Sequence, residues 1–98
     1  MGRAPVLPLA KRVQQYISNN YGLKTFVTSD LNDKHFICVF LADFQDLTQV
    51  HHDVPYFTFR SEAGKTRVLI SPDRDERLDT TQLTIIIKFG LQALGAIK

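Results

Sequence analysis

The stretch Lys34-His-Phe-Ile-Cys-Val-Phe-Leu-Ala-Asp-Phe44 decides the architecture. Side chains of a strand alternate between its two faces. Phe36, Cys38, Phe40, Ala42 and Phe44 therefore line one side, and Ile37, Val39 and Leu41 the other. Both sets are apolar, so neither face can be left in water and the run reads as a central strand covered on both sides. Two arrangements achieve that cover. The helices of the domain lie on opposite faces of the sheet, or they share one face and the other is closed by a partner or a second copy of the chain.

On the N-terminal side of this run, Pro5 and Pro8 flank Val6-Leu7, so residues 1–7 read as an extended arm entering a helix whose first turn accepts Pro8. Leu9, Val13, Tyr16 and Ile17 form a helical apolar stripe, with Lys11, Arg12, Gln14, Gln15, Ser18 and Asn19 facing away. Gly22 supplies the left-handed residue that ends the helix. Leu23–Ser29, rich in Thr, Phe and Val, then forms a hairpin with the central run through the polar turn Asp30–Asp33.

On the C-terminal side, residues 46–54 are a polar connection ended by Pro55. Tyr56–Arg60 and Arg67–Ser71 follow as a second hairpin, joined by residues 61–66 with Gly64 at a position open to positive φ. Its faces differ. Phe57, Phe59, Val68 and Ile70 form one apolar set, while Tyr56, Thr58, Arg60, Arg67 and Ser71 lie opposite with Leu69, as in a half-solvated strand pair. Asp73–Asp79 reads as a charged loop in which Asp79 or a following Thr caps the last helix. Leu83, Ile86, Ile87, Gly90, Leu91, Leu94 and Ile97 recur along that helix at spacings of three and four. The expected fold is α+β in the order α-β-β-β-β-α, a mostly antiparallel four-stranded sheet with two helices, forming one domain over residues 8–98.

The bulk numbers agree with a single ordinary domain: 98 residues, 44% hydrophobic and 22% charged. A formal charge of +2, with basic residues scattered from Arg3 to Lys98, argues against general binding to nucleic acid or to a membrane surface. Cys38 is the single cysteine, which excludes an intramolecular disulfide and suits a reducing compartment. With no apolar h-region at the N-terminus and no run approaching the roughly 18 residues of a membrane span, a cytoplasmic location is expected.

Catalytic and metal motifs are weak. His51-His52-Asp53 places adjacent side chains in opposite directions and has no further ligand at zinc spacing. Asp73, Asp75 and Asp79 lack the Gly and Glu of a calcium loop. There is no Gly-x-Ser-x-Gly elbow and no Gly-rich phosphate loop. The run Lys34–Leu41 also departs from the first signature of the RNA recognition motif at His35, Ile37 and Cys38. Neither enzyme activity nor a cofactor or metal is expected.

What remains is an interaction protein. Ile85, Phe89 and Ala96 lie opposite the core stripe of the last helix, where a solvated helix would carry charge, unless Val6 and Leu7 cover them. The candidate partner-binding residues are Ile37, Val39 and Leu41 on the sheet and Ile85 and Phe89 on the helix, for a protein target that is inhibited, sequestered or chaperoned. Either surface would also serve a symmetric homodimer. Compact chains without cofactor motifs are common among phage, viral and mobile-element accessory proteins. The alternative is a nucleic-acid surface on the second hairpin, with Arg60, Lys65 and Arg67 on phosphates and Tyr56 stacking on a base.

Overall fold

The computed structural model describes residues 6–30, 32–50, 53–71 and 73–98, apart from the side chains of 6, 7 and 47. Helix α1 (Val6–Tyr21) leads into five strands, β1 (Phe26–Ser29), β2 (Ile37–Phe40), β3 (Tyr56–Glu62), β4 (Lys65–Ile70) and β5 (Arg74–Leu78), and the chain closes on α2 (Leu83–Ala93). All neighbouring strands are antiparallel and lie in chain order, a meander. The α+β class holds, with five strands in place of the four expected.

The additional strand is β5, which the sequence presents as a charged loop. Arg74-Asp75-Glu76-Arg77-Leu78 pairs with β4 from Thr66↔Leu78 to Ile70↔Arg74. An outermost strand needs little apolar surface, and charge on it opposes edge-to-edge association. A second correction concerns α1, which begins at Val6 and not at Pro8. Pro8 still falls among the first four residues, whose N–H groups have no partner within the helix. Residues 1–5 of the expected arm lie outside the described residues.

Local chemistry sets the turns. Gly22 takes φ +66° and its N–H donates to the Ser18 carbonyl at 3.0 Å, ending α1. Ala63 and Gly64 both have positive φ, 51° and 81°, the pattern of the tight hairpin turn that matches strand twist, so β3 and β4 run closer to their turn than expected. The N-cap of α2 is Gln82, whose side chain makes no capping bond, and not Asp79 or a threonine. Instead the Thr80 hydroxyl accepts the Gln82 N–H at 3.0 Å, and the buried Thr66 hydroxyl donates to the Thr80 carbonyl at 2.6 Å. Those two bonds fasten the start of α2 to β4. The helix ends at Gly95, with φ +79°, where Gly95 and Ala96 N–H groups close on the Gln92 and Leu91 carbonyls.

Both helices lie on the same face of the sheet. Strand register brings Val27, Val39, Phe57 and Ile70 into one row and Ile37, Phe59 and Val68 into the next. These residues form one core with Ala10, Val13 and Ile17 of α1 and Ile86, Ile87 and Leu91 of α2. Helix α1 packs against β1 and β2, and α2 against β4 and the β3 ring Phe57. The closest approach is at Gly90, where a Cβ would stand 2.5 Å from the Phe57 ring.

That approach yields a prediction whose sign opposes helix propensity. Alanine favours a helix over glycine by about 1 kcal/mol, yet Gly90→Ala must move a fully buried ring, and overpacking costs about 1–3 kcal/mol. The urea midpoint of Gly90→Ala should therefore fall. A raised midpoint would show that α2 is not seated on Phe57.

Candidate interaction face

Because α1 and α2 share a face, among the described residues the opposite face of the sheet is covered only by loops. Register assigns to it Phe26 and Thr28 of β1, Cys38 and Phe40 of β2, Tyr56, Thr58, Arg60 and Glu62 of β3, Lys65, Arg67 and Leu69 of β4, and Asp75 and Arg77 of β5. The face divides into an apolar half over β1 and β2 and a charged half over β3 to β5.

The apolar half is closed by the chain itself. Phe36, Cys38 and Phe40 are buried although none belongs to the helix-facing core. The Phe44 ring, from the connection between β2 and β3, stands 6.0 Å from Phe26 and 6.1 Å from Phe40, and Phe40 meets Tyr56 at 5.0 Å. From the loop between β1 and β2, Asp33 reaches the Arg60 guanidinium at 3.5 Å. Burial, with the Asp30 carboxylate adding to it, pushes the Cys38 thiol up to about 12. A thiol so held is protonated and unreactive at neutral pH. Ellman's reagent should leave the folded protein unlabelled at pH 8 and modify one thiol on denaturation; rapid labelling of the native state would mean that this half of the face is open.

The charged half carries three arginines in directly opposed positions, Arg60↔Arg67↔Arg77, across three strands. Like charges facing one another across strands are destabilising, and here carboxylates separate them. Asp75 accepts from Arg67 at 2.9 Å and from Arg77 at 3.0 Å, while Glu62 and Asp33 lie 3.3 and 3.5 Å from Arg60. The Arg67 hydrogen bond, and then the charges of Arg67 and Arg77, hold the Asp75 carboxyl below its ordinary range despite some opposing desolvation. Beside this lattice an open groove of about 320 Å³ has Thr58 and Leu69 in its lining, together with Asp30, Tyr56, Ser71 and Asp73.

The residues singled out from sequence fall in different places. Ile37 and Val39 are 2% and 0% exposed beneath the helices, so they cannot form the partner face; parity was read correctly, but the helices cover their side. Leu41 and Phe89 are partly buried against the same core. Ile85, at 46% exposure, is the exposed large hydrophobic residue among the described residues. The cover suggested for Ile85 and Phe89, the side chains of Val6 and Leu7, lies outside the described residues. Tyr56, Arg60, Lys65 and Arg67 all lie on the outer face, with Tyr56 at the opposite end of β3 from the pair of Lys65 with Glu62. Arg77 was missed because β5 was read as a loop, although Arg77 alternates with Glu76 and Leu78 as a strand requires.

His51 and His52 are outside the described residues. His35 contacts Asp33 through Nδ1 at 3.0 Å. Among the described residues no group of three His, Cys, Asp or Glu side chains is placed to hold a metal ion, and no helix is long and apolar enough to cross a membrane. The fold and this two-part face place the protein among α+β domains with a sheet open on one side. No family model, curated protein or solved structure matches the chain.

The lowered Asp75 carboxyl sets a pH dependence. A carboxylate whose folded pKa is depressed contributes stability above its unfolded pKa and loses it as pH falls through the folded value. Acid titration of the wild type should thus show a loss of stability below about pH 4 that is smaller in Asp75→Asn; superimposable acid limbs would show that the pairs with Arg67 and Arg77 do not persist in solution.

Proposed function

We propose that this protein is a non-enzymatic interaction module of the cytoplasm that binds a protein target through the charged half of its open sheet face, and so inhibits, sequesters or chaperones that target. The observation that carries the reading is the placement of both helices on one face, which leaves Tyr56, Leu69, Arg67 and Arg77 on the other with no helix or strand of the described residues packed over them, while Thr58 between them is buried. Tyrosine and arginine are enriched in protein interfaces, where a rigid ring and a planar guanidinium supply contact area and directional bonds at low entropic cost. The groove beside them gives an incoming apolar side chain a place against Leu69. Accessory proteins of phages and mobile elements commonly have this size and lack of cofactor chemistry.

The second reading, nucleic-acid binding, is favoured by the presence of Tyr56, Arg60, Lys65 and Arg67 on one face. It is weakened by the carboxylates among them. A phosphate approaching Arg60 or Arg67 must displace Asp33, Glu62 or Asp75, and Asp30 and Asp73 line the adjacent groove. Counterion release favours surfaces of uniform positive charge, whereas a mixed lattice suits a partner that offers both signs.

Affinity capture of the tagged protein, with and without nuclease, separates the two. Wild type should retain a stoichiometric protein partner after nuclease treatment, and the variant Arg67→Glu with Leu69→Asp, checked for native circular dichroism, should lose it. Recovery of material that disappears with nuclease would transfer the function to nucleic acid. A partner retained by the folded variant would move the interface off the open face.

A further inference from the structure

The ten acidic residues of the chain all lie between Asp30 and Asp79, with six of the twelve basic residues, so this span is formally −4 and the remainder +6. Both helices fall outside it. The helical layer therefore carries no carboxylate side chain, and Lys11, Arg12 and Lys88 stand exposed on it. Among the described residues none of these three is in an ion pair, whereas Arg60, Arg67, Arg74 and Arg77 all are. Cations held without counter-charge on one layer of a small domain attract an acidic partner, and low-salt association is faster for it.

The layer also offers a recess. Between α1 and α2 lies a groove of about 330 Å³ whose lining is half apolar, Val13, Tyr16, Leu83 and Ile87, and half polar, with Arg12 and Thr84 among the polar residues. Val13 and Ile87 are each 1% exposed, so the floor is part of the fixed core and does not collapse to fill the space. Lys88 follows Thr84 by one helical turn and so stands on the flank of the groove. The volume is at the small end of binding pockets, suited to a side chain more than to a cofactor.

We propose that the α1–α2 groove is a docking site for an acidic protein segment, which seats one bulky apolar side chain over Val13 and Ile87 and pairs its carboxylates with Arg12 and Lys88. The site is on the opposite side of the molecule from the open sheet face, and the two are independent. Together they would make the protein an adaptor between two chains.

The probe is a displayed library of random peptides selected against the whole protein. Recovered sequences should be acidic around a Leu, Ile, Phe or Trp, and their affinity should fall with ionic strength and by about tenfold or more in Arg12→Glu with Lys88→Glu. Thr84→Trp, which fills the groove from its edge, should abolish binding, while Arg67→Glu on the sheet should leave it unchanged. Circular dichroism and the urea midpoint verify that each variant is folded. Failure to enrich any peptide, enrichment of basic or neutral ones, or binding insensitive to the groove variants would overturn the proposal. So would sedimentation showing self-association through these residues, or co-sedimentation with anionic vesicles that the same variants abolish.

Discussion

The contact on which the architecture turns is that between Gly90 and Phe57. A helix bearing a side chain at that position could not come so near the sheet, because the ring already occupies the space. Glycine in mid-helix costs about 1 kcal/mol in propensity, and the cost is offset by seating α2 against a fully buried aromatic ring. Once α2 is fixed there, α1 has only the β1 and β2 side of the same face to fill, and it does so with Ala10, Val13 and Ile17. Everything on the other face then has to be covered by loops, or left for something else.

The two faces accordingly obey different physics. Beneath the helices, burial is continuous and apolar from Val27 to Ile70, with the Thr66 hydroxyl satisfied by the Thr80 carbonyl. On the outer face the aromatic residues Phe26, Phe40 and Tyr56 of β1, β2 and β3 form a satellite cluster with Phe44 of the loop, and the rest of β3 with β4 and β5 holds charge of both signs. Exposed ion pairs such as these contribute little to stability individually. Their arrangement holds each guanidinium of the row against a carboxylate, and it is this fixed row that the proposed interface would use. The helical layer is the complement of this surface: among the described residues its Lys11, Arg12 and Lys88 are in no ion pair, and its recess has an apolar floor with a polar edge.

Much of the fold was legible because it rests on parity. Alternation alone assigned Phe36, Cys38 and Phe40 to one side and Ile37 and Val39 to the other, and the spacing of Ile86, Ile87, Gly90 and Leu91 gave the buried stripe of α2. Gly22 and Gly64 marked turns since only a residue without Cβ takes positive φ cheaply. Parity cannot say which side a helix will choose, however. That depends on a three-dimensional contact between residues 57 and 90, and for this reason Ile37 and Val39 were assigned to a partner when they belong to the core. Strand β5 escaped notice because its pairing is supplied by backbone hydrogen bonds to β4 and its side chains are charged, so no hydrophobic period announces it. Its absence concealed Arg77 and with it the three-strand row. The confinement of carboxylates to the middle of the chain was present in the sequence, and it acquires meaning only when the helices are seen to form one layer.

The most direct test is a nuclear Overhauser spectrum of the protein in solution, read at two places. The account predicts contacts between the Gly90 α-protons and the Phe57 ring, with those α-protons shifted upfield by ring current, and no contact from any residue of α1 or α2 to the side chains of Thr58 or Leu69. Cross-peaks from either helix to Thr58 or Leu69 would place that helix over the outer face and contradict the account at its foundation.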